Sequence, residues 1–328
     1  MERAMAQTSV PDPVRRFAVR ANALEELNLR DAADFSGGFE WLHFDWSRPE
    51  VREFLESDPQ FDPHVIKALL APETRPRFNV FGGGIFLNLR GINPKPGMQQ
   101  DEMISFRIWI EKNRLITLRR VRIEAINDMI LEMQAGHVPG SIEELVSRMA
   151  SFLTRDIGQS LINLNEELDQ IEELALEGTD DNLRSRLAEA RRQSIVLRRY
   201  LAPQRDALQR WLETLQERNL PIVREFARET HDAVLRYVED LDAFRDKAGI
   251  IQDELLTRLS DKLNRNMFVL AMLSVFFLPL SFVTGLLGVN VAGIPLADAP
   301  WGFGALCLAL VVMAALQLIT FKYLKWFK

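Results

Sequence analysis

The chain has 328 residues, 47% hydrophobic and 26% charged, which is too long for one small core and too polar to be a membrane protein throughout. Its formal net charge is −6; Lys322, Lys325 and Lys328 against Asp298 give the stretch from Met267 onward +2 and leave −8 for the rest. An acidic body lacks the basic face of a nucleic-acid binder and suits either cation attraction or plain solubility, and the single cysteine, Cys307, excludes an intrachain disulfide and a one-chain thiolate zinc cluster.

From the N-terminus, Met1–Arg20 has no apolar core of a secretory signal, so the large domain is expected in the cytosol. Trp41–Trp46 reads as a short strand. Arg77–Phe81 and Ile85–Arg90 alternate around Gly82-Gly83-Gly84, and Met103–Ile110 and Arg114–Leu118 flank Glu111-Lys112-Asn113; both read as hairpins. The glycines do not make a phosphate loop, because no Gly-Lys-Ser/Thr follows them. Helical periodicity begins near Val121 and dominates after Ser141, where Ser141 and Glu144 fit a capping box. The pattern predicts an α+β cytosolic domain over residues 1–140, of α/β/α sandwich type, followed by cytosolic helices over 141–220.

Pro221 can open a helix as its first residue. Val234, Val238, Leu241, Ala248, Ile251, Leu255, Leu259 and Leu263 then repeat at helical spacing. A helix to Leu287 would be roughly 100 Å long at about 1.5 Å per residue. Residues 221–266 are expected to be a stalk and 267–287 a first transmembrane helix. Asp232, Glu239, Asp246 and Asp253 recur every seven residues on the stalk. The stripe reads as a solvated face, with regulatory metal binding between subunits as the alternative.

Met267–Leu287 carries no charge and is long enough to cross roughly 30 Å of hydrocarbon. Residues 288–301 form a Gly- and Pro-rich outer loop without Lys or Arg, 302–321 a second uncharged span, and 322–328 a basic tail. Arg258, Lys262 and Arg265 precede the first span, so basic residues flank the pair on both outer sides and predict two cytosolic termini. On the first span Asn264, Met267, Ala271, Ser274, Leu278, Ser281, Gly285 and Gly288 share one face, which holds the span's serines and glycines. Close helix packing and the lining of a wet path both explain such a seam. Pro279 is expected to bend the helix and to free the carbonyl of Val275. Two helices cannot enclose a pore, so a path requires several copies around an axis.

His43, His64, His137 and His231 lie outside the spans without close ligand spacing, and no nucleophile–base set or cofactor fingerprint stands out. The residues make no case for an enzyme or a bound cofactor.

Gly288-Val289-Asn290 follows the first span directly, and Phe277-Leu-Pro-Leu-Ser-Phe-Val-Thr-Gly285 precedes it around the mid-span proline. Here the sequence resembles the CorA family of metal ion transporters, whose signature at this place is Gly-Met-Asn. With Val289 for the methionine, and with Glu73-Thr-Arg-Pro-Arg77 and Asn88-Leu-Arg-Gly-Ile-Asn93 in the body, it is similar to the ZntB branch associated with zinc. The resemblance implies a funnel-shaped homopentamer in a bacterial inner membrane, with the first spans around the pore. It places Gly288, Val289 and Asn290 at the outer mouth, where the Asn290 ring meets a hydrated cation, and Asn264, Met267, Leu270, Leu278, Ser281 and Gly285 along the pore, to which the seam adds Ser274. Leu270 stands beside the seam rather than on it.

The function so implied is divalent cation transport, with Zn2+ as cargo and with coupling to protons. No carboxylate lies within a span to relay protons, and Asp298 in the outer loop is the residue available to attract cations. Amides and carbonyls can hold a cation through its waters, and apolar rings at Met267, Leu270 and Leu278 can gate by dewetting. The same fold with magnesium, cobalt or nickel as cargo is the first alternative. A membrane-anchored sensor or scaffold without flux is the second.

Overall fold

A computed structural model describes residues 14–20, 23–28, 35, 37–57, 62–72, 75–92, 103–177, 182–289, 294 and 299–323. The chain divides into two units, Met1–Gln252 and Asp253–Lys328.

The first unit opens with β1 (Val14–Arg20), β2 (Ala23–Leu27) and β3 (Gly38–Asp45), then α1 (Pro49–Ser57) and α2 (Pro63–Leu69). The hairpins β4 (Arg77–Phe81) with β5 (Gly84–Gly91), and β6 (Ile104–Glu111) with β7 (Arg114–Arg119), complete a seven-stranded sheet. The order is β2-β1-β3-β7-β6-β5-β4. Every paired neighbour is antiparallel except β3 with β7, which the chain joins only after passing through α1, α2 and the intervening strands. The β4–β5 turn needs left-handed backbone at both central positions, and Gly82 and Gly83 supply it with φ of +59° and +78°.

Alternation sorts the strand residues onto two faces. Leu42 pairs with Ile116 and Phe44 with Leu118, and together with Phe86 and Trp109 they pack against Val51 and Leu55 of α1 and Val65 and Leu69 of α2. Arg107 sits on that same face, and at 1% exposure it is buried with its charge. Its Nη2 donates to the Ala71 carbonyl at 2.6 Å and its Nη1 to that of Leu69, so a cation closes the C-terminal end of α2 where helix carbonyls run out of partners. The opposite face carries Trp41, His43 and Thr117, and Trp41 stacks on Phe17 with ring centroids 4.8 Å apart.

That second face is covered by α3 (Glu124–Gln134), α4 (Ile142–Glu177) and α5 (Leu183–Glu217), which pack on the strands and on one another. The approach is close: a Cβ on Gly91 would stand 2.5 Å from Leu153 of α4. The unit is therefore an α/β/α sandwich, as the pattern predicts. The capping box at α4 closes one residue early. Ser141 Oγ accepts from the Glu144 amide at 3.1 Å, but the Glu144 carboxylate accepts from the Gly140 amide at 2.9 Å rather than from Ser141 itself.

Helix α6 runs from Pro221 to Leu287, the bounds expected from the sequence. Within the first unit it buries Ala227, Val234, Val238, Leu241, Phe244, Ala248 and Ile251. Ion pairs tie it to its neighbours: Arg198 grips Asp242 at 2.5 and 3.1 Å, and Lys247 reaches Asp169 and Glu172 of α4 at 2.6 and 2.7 Å. The apolar repeat outlasts this packing, since Leu259 and Leu263 are 41% and 54% exposed. The second unit holds the rest of α6 together with α7 (Gly302–Tyr323).

Candidate ion-conduction site

In the second unit two helices, the end of α6 and α7, are long and apolar enough to cross a membrane. Most of their apolar side chains lack the burial that a soluble core would require: Met267, Leu270 and Leu278 are 60%, 65% and 71% exposed. Such surface is stable only in lipid or against other chains.

The seam stays open along its length. Asn264, Ala271, Ser274, Ser281 and Gly285 are exposed with Met267 and Leu278, and a Cβ built on Gly285 meets nothing within 4 Å. The half-buried residues of this stretch are Met272, Phe276, Pro279, Leu280 and Val283. At about 3.6 residues per turn they lie on the side roughly opposite the seam. Leu270 is exposed at the seam's border.

Polar chemistry on the seam is directed by the helix itself. The Ser274 hydroxyl donates to the Leu270 carbonyl at 2.9 Å, which leaves its lone pairs pointing away from the backbone. Thr284 donates to the carbonyls of Leu280 and Ser281, both at 3.1 Å, and α6 ends as the Gly288 amide reaches Thr284 at 2.9 Å. Pro279 has no amide proton to give Val275. Val289 is 48% exposed. Asn290 and Asp298 lie outside the described residues.

The stalk carboxylates do not converge. Asp232 meets His231 at 3.0 Å, Asp246 meets Arg245 at 3.0 Å and is 71% exposed in its side chain, and Glu239 is exposed. Among the described residues no group of three or more His, Cys, Asp or Glu could hold a metal within one chain. One polar group the sequence reading passed over is Gln317 in α7, whose Oε1 is buried without a hydrogen-bond partner. Its signal was a lone amide in an uncharged span, where such groups are costly.

An α/β/α body, a helix of 67 residues that ends in an apolar span and a second apolar helix define a membrane protein with an extramembrane domain and a polar seam on its first span. The pattern of the CorA-like Mg2+ transporter protein family matches residues 36–324, and the chain belongs to that family. It is 34% identical over 290 residues to the divalent cation transporter CmaX of Pseudomonas aeruginosa, covering 87% of each chain. It is 32% identical over 293 residues to the zinc transport protein ZntB of Pectobacterium carotovorum, again covering 87% of each. Among solved structures, full-length CmaX superposes with a TM-score of 0.82 at 30% identity, over 97% of this chain and 100% of that one. The CorA magnesium transporter of Methanocaldococcus jannaschii shares the fold, with a TM-score of 0.78 at 21% identity over 94% and 97% of the two chains.

Proposed function

We infer that the protein carries divalent cations across a bacterial inner membrane as a homopentamer, with five copies of the α6 seam around a wet axis, and that zinc is its cargo. The observation that carries this reading is the open seam: the one polar stripe of the span is left uncovered by its own chain, while the half-buried residues lie roughly opposite. Family membership supports transport as the class of function, and similarity to proteins named for zinc and for divalent cations supports the choice of cargo.

The chemistry follows from hydration. A small divalent ion gives up its inner waters reluctantly. Those waters turn their hydrogens outward, so the path must offer acceptors. Ser274, with its own proton committed to Leu270, offers lone pairs, and the carbonyl of Val275 is spared a helix bond by Pro279. Asn290 amides at the mouth would bind the hydrated ion weakly enough to let it leave. Met267, Leu270 and Leu278 supply apolar rings that close when dry. An inside-negative potential drives a doubly charged ion inward by about 4.6 kcal/mol per 100 mV.

The seam contains no nitrogen or sulfur ligand of the kind zinc prefers. That favours a second reading in which magnesium, cobalt or nickel passes by the same outer-sphere route. Zinc-loaded and magnesium-loaded proteoliposomes, each with and without a pH gradient, separate the two and test proton coupling. Zinc flux that rises with an imposed proton gradient is expected. Asn290→Ala should abolish flux with assembly intact, and undiminished flux would remove Asn290 from the path. Absence of any divalent flux from a pentameric preparation would leave a sensor or scaffold instead.

A further inference from the structure

The first unit contains a cleft of about 400 Å³ whose charge contradicts that of the body around it. The body before Met267 is acidic, yet the cleft is lined by Arg90, Arg107, Arg120, Arg199 and Arg192, the last of which is paired with Glu189 at 2.8 Å. Among the described lining residues there is no carboxylate. Two aromatic rings hold most of these cations in place. Arg107 and Arg120 stand over Trp46 at 4.5 and 5.8 Å from the ring centroid, and Arg90 and Arg199 over Tyr200 at 4.4 and 4.8 Å. Cation–π contacts position the guanidinium groups of Arg107, Arg120 and Arg199 without neutralising them. Arg107 directs two of its nitrogens to the carbonyls of Leu69 and Ala71 and pairs with no carboxylate among the described residues.

A second observation concerns a residue that lines the same cleft. The indole Nε1 of Trp46, a lining residue, is buried and has no hydrogen-bond partner. A buried donor left unmade costs free energy that an incoming acceptor oxygen would recover. Like charges at this spacing are costly in the same way: burial, then the repulsion of Arg90 and Arg77, holds Arg107 down to about 10. A polyanion relieves both.

We propose that this cleft binds a soluble phosphorylated metabolite with at least two phosphoryl groups, held by Arg107, Arg120 and Arg199 and by the Trp46 indole N–H. Guanidinium forks match phosphate oxygens in geometry as well as charge. The rings are already covered by arginines, so a nucleobase has no face to stack on and the phosphoryl groups carry the recognition. The volume sits at the small end of ligand sites and suits a pyrophosphate-sized anion. All these residues belong to the first unit, so the site is independent of the seam and of the transported ion.

The test is calorimetric titration of the full-length protein in phospholipid-free detergent with sodium pyrophosphate. The buffer is stripped of divalent metal, because pyrophosphate would sequester it. Saturable binding of one pyrophosphate per chain is expected, at least tenfold tighter than sodium sulfate. Arg120 and Arg199 are exposed, so R120Q/R199Q should keep the fold and weaken binding by tenfold or more, while Trp46→Phe should weaken it several-fold. Arg52→Gln, on α1 and outside the cleft, should leave it unchanged. No saturation by about 1 mM, equal affinity for sulfate, or equal loss in Arg52→Gln would each overturn the proposal.

Discussion

His43 should make the sheet sensitive to mild acid. The residue is buried on β3, and the order of its hydrogen bonds fixes a neutral ring. Arg119 Nε donates to His43 Nε2 at 3.0 Å, so the ring proton sits on Nδ1 and is donated to Thr117 Oγ1 at 2.8 Å. Thr117 Oγ1 also accepts from Trp41 Nε1 at 2.9 Å and passes its own proton to the Leu42 carbonyl at 3.3 Å. A second proton on the ring would face the Arg119 cation with nothing to accept it. Burial first, then Arg119 and Arg15, push the imidazole from 6.5 down to about 3. The sign follows: below about pH 6.5 the unfolded chain takes up a proton that the folded chain refuses until about pH 3, so stability is full above 6.5 and falls as pH drops. Each pH unit is worth about 1.4 kcal/mol, so roughly 2 kcal/mol should be lost between pH 6.5 and 5. That window lies above the titration of the depressed carboxylates Glu26 and Asp242, which separates their effect from that of His43. Hydrogen exchange of β3 and β7 amides in the full-length protein, corrected for intrinsic exchange, reads the loss as a change in opening free energy. In His43→Asn the extra slope should vanish, whatever its absolute stability. The same slope in wild type and variant would refute the argument.

Gly158→Ala should destabilise the α4–α6 contact by about 1–3 kcal/mol, because the new Cβ would stand 2.2 Å from Tyr237 Oη and 2.9 Å from Cζ. Adding Tyr237→Phe should recover part of that loss in a double-mutant cycle read by thermal denaturation. Arg107→Met should cost about 2–4 kcal/mol by leaving the Leu69 and Ala71 carbonyls unpartnered, and should speed amide exchange in α2 more than in β6. Ser281→Phe and Gly285→Val should block flux in proteoliposomes while subunits still assemble, since nothing in the chain itself lies within 4 Å of a Cβ at residue 285. Normal flux in both would make the seam a packing surface.

The longest and most periodic features of this protein are legible in its sequence. Pro221 and Leu287 bound a helix because Pro279 is the only proline between them and Gly249 the only glycine before the apolar span, and the hairpins declared themselves through Gly82-Gly83 and Lys112-Asn113. β1 and β2 did not. Their sequences, VRRFAVR and ALEEL, are rich in charge because Arg15 pairs with Glu26 at 2.7 Å and Arg16 with Glu40 at 2.8 Å across the strands, and such pairing is invisible until the register is known. Helices α1 and α2, of 9 and 7 residues, are too short for periodicity to register. The arginine cleft was equally hidden, since its members come from β5, β6, α5 and the segment after β7.

What separates the legible from the hidden part is the same distinction that governs the seam. A pattern within one helix can be counted along the chain, and so the stripe from Asn264 to Gly285 could be traced as a geometric fact. Its meaning depends on what stands opposite, and the chain places nothing there: Met267, Leu278 and Gly285 face open space, while Phe276 and Val283 are half-covered. A packing seam within one subunit would be the best-covered face of the span, because small residues exist there to let a neighbour approach. Here the small and polar residues are exposed, and the half-covered positions lie on the other side. The face must therefore be completed by something outside the chain. A lipid tail is a poor partner for Asn264, Ser274 and Ser281, whereas water or further copies of the same stripe satisfy them. Both of those occur together when identical helices surround a hydrated axis, which is the arrangement proposed above for this seam.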